Sequence, residues 1–181
     1  SRDYTIGEQA YFDGNYAVAL TELTLDAEKD SNYSDWAQYL LGRMFMDGRG
    51  VEQNLETGLY WYLLAAEQGL MPAQYAPGIF YEKKGTQIDH KSSVKWYLLA
   101  AEQGYDRAQH NLAIKYKKGE GVIQDYETAF NFYLLAAEQG LAGSQASLGE
   151  MYEDGYGTKK DYVYSHMWGN IASSNGNKRG G

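Results

Sequence analysis

Tyr62-Leu63-Leu64-Ala65-Ala66-Glu67-Gln68-Gly69 is an octapeptide that occurs three times in this chain, at 62–69, 97–104 and 133–140. The copies lie 35 and 36 residues apart, and a degenerate fourth copy ends another 36 residues on, at Gly176. A fixed period of this length is typical of a solenoid, because each unit is too small to bury its own apolar face and must stack on its neighbours. The repeat therefore predicts an all-α array of about five two-helix units.

The composition excludes several classes of site and partner. The 181 residues include 18 Tyr and no Cys, so disulfides, thiolate zinc sites and Cys nucleophiles are excluded. A formal net charge of −8 argues against nonspecific nucleic-acid binding, which requires Lys and Arg at phosphates. No stretch approaches the roughly 18 apolar residues of a membrane helix, so membrane insertion is not predicted.

The two ends of the chain predict a trimmed form. The sequence opens at Ser1 without Met, and residues 177–181 follow the last repeat without a capping helix. We therefore expect any targeting signal to lie outside this sequence and residues 177–181 to form a flexible tail.

Each unit reads as two helices, A and B. Helix B begins after an Asn or Asp whose side chain can accept a bond from an unpaired first-turn N–H, worth about 1 kcal/mol. It ends at a Gly, which tolerates the left-handed position after a helix. The predicted caps are Asn15, Asn54, Asp89, Asp125 and Asp161, and the predicted helix-ending glycines are Gly69, Gly104, Gly140 and Gly176.

Helix A carries the spacing Ala-x4-Gly-x2-aromatic-x2-Gly, as in Ala37, Gly42, Phe45 and Gly48. Small residues let neighbouring helices approach closely, and the aromatic residue fills the space between layers. The aromatic residues that recur in helix B are predicted to be core for the same reason. The units predicted from this register are 2–33, 34–69, 70–104, 105–140 and 141–176.

Pro77 departs from the pattern, because it stands where helix A of the other units has Leu. An interior Pro removes one hydrogen bond and clashes with the preceding turn, at a cost of about 3 kcal/mol. We therefore predict a local bend or 3₁₀ turn near Ala76 and Pro77.

These motifs resemble the Sel1-like repeat, a relative of the tetratricopeptide repeat. The resemblance rests on Ala-Gln-Tyr-Leu-Leu-Gly at 37–42, the Gly-x-Gly-Val turns, and Trp/Phe-Tyr-x-x-Ala-Ala-x-x-Gly. It covers about 34–176 well and 4–30 in a weaker form. It implies a right-handed α/α superhelix with helix A lining the concave face. It also implies roles as adaptors, among them in bacterial secretion, envelope, signalling and host-interaction systems.

Catalysis and cofactor binding find little support in the residues. His90, His110 and His166 lie in different units, and none has a second His at i+3 or i+4 to form a metal site. Neither a nucleophile elbow nor a phosphate-binding Gly loop is present. The prediction is a protein that is not an enzyme and has no cofactor or metal.

The positions that vary between repeats are the candidates for partner binding. If helix A lines the groove, as the resemblance implies, aromatic and charged residues alternate along it, and such residues supply most binding energy at interfaces. The predicted binding residues are Trp36, Tyr39, Arg43, Tyr75, Glu82, Arg107, His110, Lys117 and Glu150. Further groove positions are Tyr4, Glu8 and Tyr11 in the first unit.

Charge is segregated along these helices. Helix A of the fourth unit carries Arg107, Lys115, Lys117 and Lys118, whereas helix A of the fifth unit carries acids. This segregation suggests a groove with a basic middle that suits an extended ligand with an acidic segment. Ordinary solvated helix faces account for the same charges equally well.

The sequence thus predicts a noncatalytic scaffold that binds a partner protein or peptide on its concave face. Two alternatives stay open. One is a bacterial envelope protein that binds a small ligand or acts on cell-wall material, which requires a compact pocket of convergent polar groups. The other is self-association through an uncapped last helix, including Met167 and Ile171.

Overall fold

Residues 4–29 and 34–178 are described by a computed structural model of the chain. They form ten α-helices and no strand. The helices are α1 Ile6–Phe12, α2 Tyr16–Ala27, α3 Ser34–Asp47, α4 Leu55–Glu67, α5 Met71–Lys84, α6 Gln87–Glu102, α7 Asp106–Lys118, α8 Tyr126–Glu138, α9 Ala142–Asp154 and α10 Tyr162–Lys178. Odd-numbered helices are the A helices of the repeat and even-numbered helices are the B helices. The predicted bounds of the first unit, 2 and 33, lie outside the described residues.

The chain divides into two compact parts, 1–80 and 81–181. Within residues 1–80, α1 packs on α2, α2 on α3 and α3 on α4, and α1 also touches α3. Within residues 81–181, each of α6, α7, α8 and α9 packs on the helix that follows it. Each of these helices thus packs against its sequence neighbours, as a repeat array requires.

Most of the predicted caps are present. The side chains of Asn15, Asn54 and Asp125 accept bonds from first-turn N–H groups, at 3.0 Å in the case of Asn54 and Thr57. Asp161 likewise accepts bonds from the backbone N–H groups of Val163 and Tyr164. These side chains hold the start of helix B in each of these units.

The prediction for Asp89 is wrong. The third unit is one residue short, and α6 starts three residues earlier than the register implies, with Thr86 as its N-cap. Thr86 accepts a bond from the N–H of Asp89, while its hydroxyl donates to the Asp89 carboxylate. Thr followed three residues later by an acid is itself a helix-start pattern, and here it takes precedence.

The glycines that end helix B behave as predicted in three units. Gly69, Gly104 and Gly140 have φ values of 89°, 92° and 89°, which favour glycine. Gly176 does not follow them, because α10 continues through it to Lys178. The helix therefore extends two residues into the predicted tail, and residues 179–181 lie outside the described residues.

Pro77 is buried inside α5, and the helix is α-helical on both sides of it. The predicted 3₁₀ turn is therefore wrong, and the predicted bend stays a prediction. The Pro removes only the bond that its own nitrogen would have made, and burial of its ring in the packed interior offsets part of that loss.

The turn between helices A and B contributes to stacking. Its second Gly lies against the first turn of helix B of the preceding unit, so that an added Cβ would overlap Tyr16 at Gly50, His90 at Gly121 and Tyr126 at Gly157. Each of these glycines also has a positive φ. Both requirements explain why Gly-x-Gly recurs in the sequence.

A ladder of glutamines joins consecutive repeats. Buried Gln109 in α7 donates to the Ala101 carbonyl of the preceding helix B at 3.2 Å and accepts a bond from Gln139 of its own unit at 2.8 Å. Gln38 and Gln145 occupy the same position and donate in the same way, and they accept from Gln68 and from Asn175 respectively. Because a buried amide needs partners, this ladder accounts for the recurring Gln of the octapeptide and of helix A.

Candidate functional site

Three of the predicted binding residues lie together on α3. Trp36, Tyr39 and Arg43 follow one another at intervals of three and four residues, so they share one face of the helix. The ring centroids of Trp36 and Tyr39 are 5.2 Å apart, and Tyr39 lies 5.6 Å from the buried ring of Tyr62. All three predicted residues are half-buried.

The guanidinium of Arg43 lies over the ring of Tyr11 of α1, 5.7 Å from its centroid. Arg49, in the turn after α3, lies 6.0 Å from the same ring and donates to the Tyr11 hydroxyl at 3.3 Å. Asp47 pairs with Arg49 at 3.0 Å. We call Tyr11, Trp36, Tyr39, Arg43 and Arg49 the aromatic–arginine patch.

Two residues of α1 that were predicted to face the groove are buried instead. Glu8 forms a capping box with Thr5, because its carboxylate accepts a bond from the Thr5 N–H at 3.1 Å. Tyr11 is buried under Arg43 and Arg49, and burial raises the pKa of its hydroxyl. Tyr4 is exposed as predicted. Tyr75, in α5, is half-buried.

Glu82, within residues 81–181, belongs to a charge cluster and does not lie on an open groove face. The ammonium of Lys115 lies 2.7 Å from Glu82 and 2.9 Å from Glu120, and 3.4 Å from Nδ1 of His90. The Tyr97 hydroxyl donates to the second oxygen of Glu82 at 2.7 Å. We call Glu82, His90, Tyr97, Lys115 and Glu120 the Lys115 cluster.

Lys115 is 1% exposed in its side chain, so it is no part of a basic groove surface. Burial alone would lower the pKa of Lys115, but its bonds to Glu82 and Glu120 outweigh burial and raise it. The same bond holds the pKa of the Glu120 carboxyl below its ordinary value. In the repeat register Lys115 takes the buried place of Met44 and Met151, and that register is the sequence signal that would have located it.

Two other lysines of α7 are also paired. Lys117 lies 3.5 Å from Glu150 of α9, and Lys118 lies 3.7 Å from Glu120. Arg107 is exposed at the start of α7 and has no carboxylate partner among residues 4–29 and 34–178. The predicted basic middle is therefore largely neutralised by acids that come from other helices and from the turn.

His110 is brought to the next helix A rather than to solvent. Its Nδ1 lies 2.8 Å from the Ser144 hydroxyl, and its ring contacts Tyr133 edge-on. Burial lowers the pKa of His110, although Asp106 opposes the shift. With the pair of Lys117 and Glu150, this contact places the A helices α7 and α9 side by side.

Among the described residues, no group of three or more His, Asp or Glu side chains is placed to hold a metal ion. The lowered carboxylate pKa values belong to Glu120, which pairs with Lys115, and to Asp125, which is a helix cap bonded by Thr128. A shallow depression of about 650 Å³ is lined by Tyr4, Thr5, Ile6, Gln9, Ala10, Asp13 and Asn15, and Tyr4 is its one predicted groove residue.

None of the helices in the described part of the chain is both long and apolar enough to cross a membrane.

Two solved structures resemble the chain along most of its length. A Sel1 repeat protein from Oxalobacter formigenes is 32% identical with a TM-score of 0.80, over 94% of this chain and 50% of that one. c5321, a protective antigen present in uropathogenic Escherichia coli strains and displaying an SLR fold, is 30% identical with a TM-score of 0.75, over 98% of this chain and 44% of that one. The chain thus spans about half the length of these relatives. These likenesses confirm the predicted all-α repeat fold.

No curated protein matches the chain. The Sel1 repeat profile matches it four times, at residues 37–70, 72–105, 106–141 and 142–177. The matches cover most of the sequence and contain the octapeptide, the turn glycines and the glutamine ladder described above. The chain therefore belongs to the Sel1 repeat family.

Proposed function

We propose that this protein is a noncatalytic scaffold that binds a partner protein or extended peptide on the face formed by its A helices. Sel1 repeats are commonly protein–protein interaction modules and generally noncatalytic. The proposal includes five helix pairs as consecutive units of one array, with the approximate boundaries predicted from the sequence.

The observation that carries the proposal is the aromatic–arginine patch. Trp36, Tyr39 and Arg43 form an accessible row on one helix, and each is held by neighbours that the fold supplies. Tyr, Trp and Arg are the residue types that dominate binding hot spots. A preordered row of this kind binds a segment without first paying to order itself, which favours affinity.

The proposal is tested with peptides selected from a random display library on the immobilised full chain. Tyr39→Ala is expected to weaken the selected peptides by at least about 2 kcal/mol, the cost of a hot-spot residue. Tyr60→Ala is the matched control, because Tyr60 is an exposed tyrosine on a B helix. Circular dichroism checks that both variants fold.

Three outcomes count against the proposal. The library yields no binder, or the binders ignore Tyr39→Ala, or they are lost on Tyr60→Ala, which would place binding on the B helices. Binding lost on Tyr39→Ala alone supports the A-helix face.

A second candidate is self-association through α10. Tyr162, Val163, Tyr164 and Met167 are exposed apolar side chains on this one helix, whereas Ile171 is half-buried. Exposed apolar patches often mark interfaces. Sedimentation equilibrium of the full chain and of Val163→Asp tests it: an oligomer that dissociates in the variant favours self-association, and a monomer in both rules it out.

A further inference from the structure

We propose that Arg43 anchors an acidic side chain of the partner, with an apolar side chain two residues away resting on Tyr39 and Trp36. The inference rests on the proposed function and names the chemistry of the segment that the A-helix face takes. The occupant is an extended peptide with an internal Asp or Glu and an apolar or aromatic residue in the order acid-x-apolar, or the reverse.

The first reason concerns the charge of Arg43 and its lack of an acidic partner in the described part of the chain. Among residues 4–29 and 34–178 it has no carboxylate within salt-bridge distance. The one acid a helical turn away, Asp47, is paired with Arg49 at 3.0 Å. Partial burial of a charge without a partner costs free energy, and an anion from outside the chain would offset that cost.

The second reason is geometry. Arg43 lies against the ring of Tyr11, 5.7 Å from its centroid, and this contact restricts where the guanidinium points. Arg presents a planar fork of donors that matches a carboxylate, so a side chain already held in place loses less entropy when it binds. Partial burial also strengthens the ionic attraction relative to one in open water.

The third reason is that the scaffold does not require Arg at this place. The repeat register aligns Arg43 with Ile79 of α5, Ile114 of α7 and Glu150 of α9. Side chains of opposite character are thus accepted at one structural position. The repeat therefore does not require a cation at this position, and Arg43 is available for recognition.

The spacing of the peptide follows from the helix. Arg43 and Tyr39 are four residues apart, which is about 6 Å along an α-helix. In an extended chain, side chains on one side recur every two residues, at about 6.6 Å. For a peptide that runs along α3, a carboxylate on Arg43 therefore places the side chain two residues away over Tyr39 and Trp36, whose ring centroids lie 5.2 Å apart.

An internal acid is favoured over a chain terminus. The second arginine of the patch, Arg49, offers no further fork to a terminal carboxylate, because it is already engaged by Asp47 and Tyr11. Arg43 thus offers one fork to one side-chain carboxylate.

The experiment measures binding of synthetic peptides, capped at both ends, to the full chain by calorimetry. The peptides carry Glu-x-Trp, Gln-x-Trp or Lys-x-Trp in a Ser-rich background. We expect the Glu peptide to bind at least tenfold more tightly than the Gln peptide, and more weakly as salt rises. Arg43→Gln is expected to erase this preference, and Arg43→Glu to transfer it to the Lys peptide.

Lys95→Gln is the matched control, because Lys95 is an exposed cation on a B helix that lies over the ring of Trp96, 5.8 Å from its centroid. It is expected to leave the preference unchanged. Arg43→Lys keeps the charge and loses the fork, and an intermediate preference is expected.

Each contrary result has its own meaning. Peptides that bind regardless of the acid, yet are lost on Tyr39→Ala, overturn this inference and leave the proposed function standing. Tighter binding of an uncapped Ser-Trp-Ser peptide with a free C-terminus than of the capped Glu peptide also overturns it, in favour of a terminal carboxylate. If no peptide of either kind binds and the library yields no binder, both proposals fail.

Discussion

Arg43 of α3 and Lys115 of α7 are both cations of an A helix, but they differ in burial and in pairing. Arg43 lies half-buried on an aromatic ring without a carboxylate partner among the described residues. Lys115 is buried and bonded to two carboxylates. Counting the cations of α7 therefore overstates its open positive charge, because one of them, Lys115, is buried and neutralised.

The difference comes from one step in helical register. Lys115 aligns with Met44, the residue next to Arg43. Adjacent residues on an α-helix point about 100° apart. That rotation is enough to move a side chain from the open face to the core, so counting charges along a helix does not measure its surface charge.

The strongest test of this comparison removes the acids around Lys115. Glu82→Gln with Glu120→Gln leaves a buried ammonium without a counter-charge, and we expect a loss of about 3 kcal/mol in the free energy of unfolding. Adding Lys115→Met is expected to restore stability to within about 1 kcal/mol, because Met fills this place in α3 and α9. Urea unfolding measures all three chains. A double variant as stable as the wild type would show that Lys115 is not held as described.

A smaller effect is expected at the turn glycines, which lie against helix B of the preceding repeat. Gly157→Ala forces a side chain into a left-handed residue and against the Tyr126 carbonyl. Gly140→Ala introduces the strain alone, because nothing lies within 4 Å of its added Cβ. We expect about 1 kcal/mol of loss at Gly140 and about 1 kcal/mol more at Gly157, by thermal unfolding. Equal losses would mean that the turn does not stack as described.

We predict that stability depends on pH through His110 of α7. Burial lowers its folded-state pKa below the ordinary 6.5, so its stabilisation is present above pH 6.5 and is lost as the pH falls through the folded value. The melting temperature is expected to fall between about pH 7.5 and about pH 5.5, and less so in His110→Gln. His166→Gln, at an exposed histidine of α10, is the control. The same pH slope in all three proteins would contradict the burial of His110.

The smallest effect is expected for Lys117 and Glu150. Their 3.5 Å pair is partly exposed on adjacent A helices. A double-mutant cycle with Lys117→Ala and Glu150→Ala should give a coupling energy below about 0.5 kcal/mol. A coupling several times larger would mean that this pair, like the Lys115 cluster, holds the repeats together.

Sequence reasoning succeeded where the cause is local. A cap such as Asn54 needs only its own first turn, and a glycine such as Gly140 needs only its own backbone angle. It failed where a neighbour decides. Asp89 lost its predicted place to Thr86 in a unit of different length, and Pro77 is accommodated by burial that its own sequence does not reveal.

The candidate site divides in the same way. The residue types of α3 and their spacing were enough to place Trp36, Tyr39 and Arg43 on one face. Spacing on one helix could not show that Glu82 and Glu120 converge on Lys115, or that Glu150 meets Lys117, because those partners come from other helices and turns. Opposite charges far apart in sequence attract only once packing brings them within a few ångströms.

The sequence by itself determined the repeat, its two helices, the helix ends in most units and the membership of the Sel1 repeat family. These follow from periodicity and from the backbone preferences of Gly, Asn and Asp, which act over a few residues. Tertiary structure alone decided which charges are accessible. Burial and the approach of distant side chains set whether a cation is neutralised, and Arg43 is left open while Lys115 is not.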